Sequence, residues 1–259
     1  MNVTWPRVVR SEWIKLRSLR STWFTLAGAV LAVIVIGTVV GYATNAHWNN
    51  IGPDERARFD PIMRSLVGVN LAQLIVGVLG VLLISGEYAT GMVRATFAAV
   101  PRRLPVLTAK AVLYAVLLYP VLFAAALAAF LWGQHGLASH GTTLTAPHAL
   151  RAVLGAAAYL DLVGLLALAL GFIVRSTAGG IATLVGLLLV LPGIGQALPE
   201  SWRENTVPYL PSQAGGALYI PKPEDPGSLH FWSGGGVLCL WVLGALLIAG
   251  VVLKRRDVQ

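Results

Sequence analysis

The sequence predicts an all-α polytopic membrane protein with six transmembrane helices. Its 259 residues are 56% hydrophobic and only 12% charged, whereas soluble domains carry about 25% charged residues. Such a composition cannot cover a globular surface in water. Six apolar runs are long enough to cross a bilayer, and the basic residues gather between alternate runs. We therefore expect one transmembrane domain over residues 1–259.

The apolar runs account for the predicted spans, since a transmembrane helix needs about 20 mostly apolar residues. They cover residues 24–43, 65–85, 106–132, 152–174, 181–198 and 232–253. Basic residues precede the first run, but the apolar core of a secretory signal is only about 7–15 residues long, so we expect this run to be retained. The fifth run contains Pro192-Gly193. Because proline removes a backbone donor, we expect a break near the outer end of that span.

The distribution of charge predicts that both termini are cytoplasmic. Most of the 19 lysines and arginines fall on one side of the predicted spans, at 7–20, 94–110, 175 and 254–256. Most of the 11 acidic residues fall on the other side. Because cytoplasmic loops carry the excess of basic residues, residues 199–231 become an outer loop. The net charge of +8 is then explained by the orientation of the chain in the membrane and not by binding to nucleic acid. We therefore expect a lipid membrane, and no nucleic acid, as a partner.

Residues 4–20 are predicted to form an amphipathic helix on the cytoplasmic leaflet. At about 100° per residue, Trp5, Trp13 and Leu16 fall on one side of this helix, whereas Arg17 falls on the opposite side. A proline in the first turn, as in Thr4-Trp5-Pro6, favours a helix start there. A basic, amphipathic helix of this kind lies in the plane of the membrane surface. The alternative is a basic flank of the first span without a defined helix.

The loop between the second and third spans reads GEYATGMVRATFAAVPRRLPVLTAK over residues 86–110. Residues 90–100 are predicted to form a short helix that ends before Pro101, because a residue preceding proline disfavours the helical conformation. It presents an apolar ridge that includes Met92, Phe97 and Val100. A simple turn would need fewer residues. The extra length favours a docking element for a cytoplasmic partner, with a re-entrant or leaflet-lying helix as the alternative.

Three segments resemble the ABC-2 type permeases, which are membrane subunits of ABC exporters. They read RSEWIKLRSLRSTW at 10–23, GEYATGMVRATFAAVPRRLPVLTAK at 86–110 and LPESWRENTVPYLPSQAGGALY at 198–219. The first is similar to the E-x-x-K-L-R-like run before the first span of family members. The second is similar to their E-Y-x-x-G…P-R-R run between the second and third spans. The resemblance covers the whole chain.

The resemblance implies that this chain works with a separate ATP-binding subunit. The helix within 90–100 would be a coupling helix seated in a groove of that subunit. The residues implied at this docking surface are Glu87, Thr90, Met92, Arg94, Phe97, Val100, Arg102 and Arg103. The transport pathway of the family forms between two permease chains, which implies a homodimer or heterodimer. The implied location is the plasma membrane of a bacterium.

The sequence offers no catalytic site of its own. No lysine stands in a G-x-x-x-x-G-K-[ST] context, so the chain lacks the phosphate-binding loop that holds ATP. The histidines match no zinc spacing, and the single cysteine, Cys239, can form no intramolecular disulfide. We therefore expect no cofactor in this chain, with ATP and Mg²⁺ bound by the partner subunit. The prediction is a transport subunit and not an enzyme.

Polar residues inside the predicted spans are the remaining candidates for function. Asp161 lies near the middle of the fourth run, where a charge costs about 2.5–3.5 kcal/mol on insertion scales. It either lines a substrate path or ties two helices together. Asn70 and Gln73 share a face of the second span, and hydrogen bonding between helices is their commoner role. A proton-coupled secondary transporter or an intramembrane enzyme using Asp161 is the alternative function, and a chemically silent membrane anchor is another.

Overall fold

A computed structural model describes residues 4–93, 96, 103–221 and 227–255, and within these ranges the regular structure is helical. The α-helices are α1 (Trp5–Ser18), α2 (Arg20–Ala46), α3 (Pro53–Ala57), α4 (Pro61–Leu66), α5 (Val69–Ala89), α6 (Leu104–Leu137), α7 (Ala149–Val174), α8 (Thr177–Val185), α9 (Leu191–Gln196), α10 (Glu200–Thr206), α11 (Pro211–Gly216) and α12 (Phe231–Arg255). Short 3₁₀ turns lie at Trp48–Asn50, Ala138–His140 and Val207–Tyr209.

Six helical segments of the described chain are long and apolar enough to cross a membrane. They are Arg20–Ala46, Pro61–Ala89, Leu104–His140, Ala149–Val174, Thr177–Gln196 and Phe231–Arg255. Each overlaps one of the predicted apolar runs. The prediction of an all-α polytopic membrane protein with six transmembrane helices is therefore confirmed.

The fourth span, α7, forms the centre of the bundle. Within its most apolar window 72% of the residues are buried, compared with 28% for the first and third spans. It packs against α5, α6, α8 and α12. Glycines allow the closest approach, since a Cβ atom on Gly80 of α5 would lie only 2.3 Å from the carbonyl oxygen of Gly164. Close backbone packing at small residues is a general feature of transmembrane bundles.

The fifth span remains helical through its proline, although a break was expected there. Residues Gly186–Val190 form a π turn, and Leu191 donates its amide to the carbonyl of Gly186. Pro192 then lies in the first turn of α9. Proline has no amide proton to donate, and a local π turn is one way in which a helix accommodates this loss. The proline therefore produces a local irregularity rather than an interruption of the span.

Helix α1 runs along the bundle end where α5 ends and α6 begins, which we call the α1 end. Pro6 lies in its first turn, where the missing amide costs no hydrogen bond. Val8 of α1 is buried against Val106 and Ala109 of α6. Leu19 is extended and separates α1 from the first span. The helix expected over residues 4–20 thus spans Trp5–Ser18 and packs on α6.

The loop before the last span lies at the opposite end of the bundle. Helix α11 packs against α12 and α7. The indole nitrogen of Trp241 donates a hydrogen bond to the carbonyl of Tyr209 at 2.9 Å. Burial raises the pKa of the Tyr219 hydroxyl to about 12. The packing of α11, the hydrogen bond of Trp241 and the burial of Tyr219 show that the described part of this loop packs closely on the end of the bundle.

Candidate functional site

Two acids and two lysines from three helices meet at the α1 end. Lys110 Nζ lies 2.5 Å from Glu12 Oε2 and 2.7 Å from Glu87 Oε1. Lys15 Nζ lies 2.8 Å from Glu12 Oε1 and 3.4 Å from Glu87 Oε1. We call these four residues the ion cluster. It joins α1 to the end of α5 and the start of α6.

The ion cluster is almost completely shielded from solvent. Glu12 is 2% exposed, Glu87 7% and Lys110 8%, while Lys15 is partly buried. Buried charges are tolerated only when they are paired, and here two negative charges face two positive ones. Removing one partner of a buried pair costs about 3–5 kcal/mol, because the other charge is left uncompensated. The cluster therefore holds the three helices in one arrangement.

The local sequence explains why Glu12 faces the protein. It follows Val8 by four residues, so both side chains lie on the same face of α1. Val8 is anchored on Val106 and Ala109, and the residue after Ala109 is Lys110. Apolar packing thus places Glu12 beside the ammonium group of Lys110. Lys15, three residues after Glu12, reaches the same carboxylate from the edge of α1.

The ion cluster also contacts the loop that follows α5. Lys15 Nζ donates a hydrogen bond to Thr96 Oγ1 at 3.0 Å, and Thr96 Oγ1 donates to the carbonyl of Met92 at 3.0 Å. Gly91 ends α5 with φ +71°, a conformation that suits glycine. Val93 is buried, whereas Met92 is 40% exposed. The described part of the loop is therefore held to α1 through Lys15.

Further contacts at the α1 end connect the remaining spans. Arg103 Nη1 donates to the carbonyl of Leu253 at 2.8 Å, near the end of α12. The guanidinium of Arg175, which follows α7, lies 5.4 Å from the ring centroid of Tyr88. Thr177 of α8 donates its hydroxyl to Ser85 at 2.8 Å. These contacts tie the residue before α6 to α12, and the end of α5 to α8 and to the residue after α7.

The structure places the described members of the predicted docking surface in different environments. Glu87 is buried in the ion cluster, and Arg103 bonds to α12. Thr90 is exposed and donates to the carbonyl of Gly86 at 2.9 Å, and Met92 is partly exposed. Arg94, Phe97, Val100 and Arg102 lie outside the described residues.

The residues predicted to lie on the apolar side of α1 do not share one environment: some are buried in the protein and others are exposed. Trp5 is 47% exposed and Trp13 38% exposed, and Arg17 is also exposed. Leu16 is partly buried against the main core. The tryptophans are therefore free to contact membrane headgroups, while Val8 and Leu16 contact the protein.

Sequence reasoning missed three of the four members of the ion cluster. In the sequence, Lys15 and Lys110 count among the basic residues that predict orientation, and Glu12 is only part of the E-x-x-K-L-R-like run. One signal was available, because Glu12 is the only acidic residue before Asp54 and it lies on the face of Val8. A single acid among many basic residues, on the apolar side of a helix, indicates a buried ion pair.

The polar residues of the spans lie away from the ion cluster. Gln73 accepts a hydrogen bond from the Tyr159 hydroxyl of α7 and donates to the carbonyl of Asn70 at 3.0 Å. The Asn70 side chain is exposed and bonds within its own helix, to the carbonyl of Val67 at 3.3 Å. Gln73 therefore links α5 to α7, whereas Asn70 forms no such link among the described residues.

Asp161 is buried in the middle of α7, with 7% of its surface exposed. Its Oδ1 atom has no hydrogen-bond partner within the described ranges. Gly164, one turn further along, packs against the hydroxyl of Tyr114. Tyr114 in turn donates to the carbonyl of Val76 at 3.3 Å. Asp161 is thus a buried acid with spare hydrogen-bonding capacity, and no group of ligands for a metal ion occurs in the described part of the chain.

Comparison with known proteins identifies the family. The family model of the ABC-2 family transporter protein matches residues 8–193, a region that contains the whole ion cluster, the first four spans and most of the fifth. A comparison with curated proteins gave no significant match. Because the family match covers well over half of the chain, the protein belongs to the ABC-2 family of transporter proteins.

Proposed function

We propose that this chain is the membrane-spanning subunit of an ATP-driven ABC exporter whose ATPase is a separate subunit. The family is that of ABC-2 transporters, and the sequence contains no phosphate-binding loop. A transporter subunit without its own ATP site needs a partner that supplies one. In this proposal the partner binds ATP and Mg²⁺, and this chain contributes no catalytic residue.

The α1 end would face the cytoplasm, where the ATPase binds. Basic residues are concentrated there, including Arg103, Lys110 and Arg175 at the ends of the spans and the basic residues of α1. The positive-inside rule supports a cytoplasmic location for that end. The location that fits is the plasma membrane of a bacterium, with both termini inside.

The observation that carries the mechanism is the position of Lys15. Its ammonium group contacts Glu12, Glu87 and Thr96 at once, so it joins α1, the end of α5 and the loop after α5. A partner seated on residues 90–100 would push on this loop when ATP binds. Buried charges must move together or lose their partners, and α1, α5 and α6 would therefore respond as one unit.

A second permease chain would complete the transport pathway. Each chain contributes six spans, and spans α2 and α12 expose large apolar side chains such as Phe24, Trp232 and Leu247. Surfaces of this kind contact either lipid or another span. Whether the second chain is a copy of this one or a relative is decided by the composition of the purified complex.

Affinity purification of the tagged full-length chain in mild detergent tests the proposal. We expect a soluble ATPase with a phosphate-binding loop to co-purify, and we expect the substitution Phe97→Asp to remove it. The matched control is Trp202→Asp, which alters an aromatic residue that is 64% exposed at the opposite end. Failure of any ATPase to co-purify, or equal recovery with Phe97→Asp, contradicts the proposal.

A proton-coupled secondary transporter is the second candidate function, and the buried, unpartnered Oδ1 of Asp161 favours it. Such a protein would move its substrate in response to a pH gradient without ATP. Transport by reconstituted vesicles distinguishes the two functions. The exporter requires the ATPase subunit and ATP, whereas the secondary transporter requires only the gradient.

A further inference from the structure

A cavity of about 650 Å³ opens at the end of the bundle opposite α1. It lies between the start of α7, helix α10, the turn Val207–Tyr209 and the start of α12. Cavities of about 300–1,000 Å³ are the usual size of small-molecule sites. The ion cluster is at the other end of the bundle, so the two sites are separate.

Arg151 supplies a fixed positive charge in the wall of this cavity. It lies in the first turn of α7 and is partly buried, and its guanidinium carbon lies 5.1 Å from the ring centroid of Phe231. The Nε atom is buried and has no hydrogen-bond partner in the described ranges. No described carboxylate lies within ion-pair distance of Arg151. A partly buried guanidinium without a described counter-charge favours an anionic ligand.

The other residues that line the cavity indicate which further chemical groups the ligand carries besides its anionic group. Phe231, Val207 and Ile220 provide apolar walls. Glu200, Arg203 and Glu204 also line the cavity and are exposed on α10. On α10 the two carboxylates outnumber the single guanidinium of Arg203, which disfavours multiply charged anions but tolerates a single negative charge beside Arg151. The lining therefore favours a ligand with one acidic group and an apolar portion.

The cavity also lies at the level where two membrane spans begin. Helices α7 and α12 start at its edge, and Trp232, which lines it, is 85% exposed. Trp202 on the adjacent helix α10 is 64% exposed. Exposed tryptophans at span ends mark the boundary between the bilayer and water. Amphiphiles position their acidic groups at this depth.

We propose that this cavity binds a monoanionic amphiphile, with its acidic group on Arg151 and its alkyl portion against Phe231, Val207 and Ile220. The ligand is either a lipid of the surrounding bilayer or a free amphiphile such as a fatty acid. Both present the same chemistry to the site. The proposal concerns a binding site and is independent of whether ATP drives the protein.

Native mass spectrometry of the full-length chain in detergent measures this binding. The probes are phosphatidylglycerol for the lipid source and decanoate for the free amphiphile, with phosphatidylcholine and inorganic phosphate as comparisons. The variants are Arg151→Gln, Arg151→Lys and the control Arg64→Gln. Arg64 is an arginine outside this cavity that pairs with Glu55 at 3.4 Å.

We expect phosphatidylglycerol, decanoate or both to bind more tightly than phosphatidylcholine and inorganic phosphate. Arg151→Gln should weaken that binding by about tenfold or more, as expected for loss of a hydrogen bond to a charged group. Arg151→Lys should retain part of it and Arg64→Gln all of it. Binding to phosphatidylglycerol alone identifies a lipid site, whereas binding to decanoate alone identifies a free amphiphile.

The proposal is overturned if neither anionic probe binds more tightly than its comparison. It is also overturned if Arg151→Gln binds like the wild type, or if Arg64→Gln weakens binding as much as Arg151→Gln does. Unfolding temperatures of the variants separate loss of the ligand from loss of the fold. If Arg151→Gln fails to fold, Arg151→Lys decides the outcome: the proposal requires weaker binding of the anionic probe by the folded lysine variant, and binding equal to that of the wild type overturns it.

Discussion

Lys110 Nζ and Glu12 Oε2 lie 2.5 Å apart. This ion pair holds α1, the helix before the first span, against the start of α6, the third span. Glu12 is 2% exposed and Lys110 8% exposed. Because both charges are buried, each is stabilised mainly by its partners and not by water. This contact is the centre of the ion cluster on which the proposed coupling depends.

Replacing Lys110 by Met should destabilise the protein substantially. The change leaves Glu12 and Glu87 with Lys15 as their remaining partner in the cluster, and losing one partner of a buried pair costs about 3–5 kcal/mol. Unfolding in detergent, followed by heating or by denaturant, measures the loss. The control is Lys254→Met, which removes an exposed lysine near the end of α12.

The double variant Lys110→Met/Glu87→Gln sharpens this test. Removing one positive and one negative charge restores the balance, so we expect it to recover part of the lost stability. If Lys110→Met is no less stable than Lys254→Met, the buried pairs do not hold α1 to the bundle.

Thr96→Val should separate ATP turnover from transport. Valine has nearly the shape of threonine but cannot accept the hydrogen bond from Lys15 that is 3.0 Å long in the wild type. We expect the ATPase subunit to remain bound and the amount transported per ATP to fall by about tenfold, in line with the lower end of the loss of a hydrogen bond to a charged group. Transport and phosphate release in reconstituted vesicles measure the two quantities.

Thr108→Val is the matched control for this change. Thr108 is exposed, and its hydroxyl bonds to carbonyls of its own helix. It should leave the ratio of transport to ATP hydrolysis unchanged. An equal effect of both substitutions would show that Lys15 and Thr96 have no special part in coupling.

The contribution of Lys15 to stability should persist to high pH. Burial lowers the pKa of Lys15, but the hydrogen bond from Lys15 to Glu12 and the charges of Glu87 and Glu12 raise it more, so the pKa lies above its ordinary value of 10.5. A raised pKa stabilises the fold fully below the unfolded value, and this stabilisation is lost as the pH rises through the folded value. The stability difference between wild type and Lys15→Met should therefore be constant from neutral pH to about pH 10 and shrink above it. A difference that disappears near neutral pH contradicts this assignment.

The spans could be predicted from the sequence because each is a long apolar run, and run length follows from bilayer thickness. The lone acid Glu12 indicates a buried ion pair, but its partners could not be predicted, because they depend on α1 folding back onto α6. Nothing local to Glu12 specifies Lys110 as its partner. The π turn before Pro192 was also missed, since proline indicates only that the regular hydrogen bonding must change. No motif in the sequence singles out Arg151, and only the positions of Phe231 and Val207 place it in a cavity.

Asp161→Asn should lower transport while leaving assembly and ATP turnover largely intact. The carboxyl group is buried in the central helix, and Oδ1 has no hydrogen-bond partner in the described ranges, so it is free to bond a substrate that reaches the centre of the bundle. Transport rates in vesicles, set against the yield of purified complex, measure the effect. Asn70→Ala, which alters an exposed side chain that bonds within its own helix, is the control. Normal transport by Asp161→Asn would show that the acid is structural or incidental.

The central claim is that the segment after α5 docks the ATPase subunit, and site-directed cross-linking tests it most directly. Met92 is 40% exposed and can be changed to cysteine after the exposed Cys239 is replaced by serine. We expect a bifunctional reagent to join Met92→Cys to the ATPase in membranes, with a yield that changes when ATP is added. Modification of Met92→Cys by an impermeant reagent applied from outside the cell, or cross-links to lipid with none to an ATPase, would contradict the account.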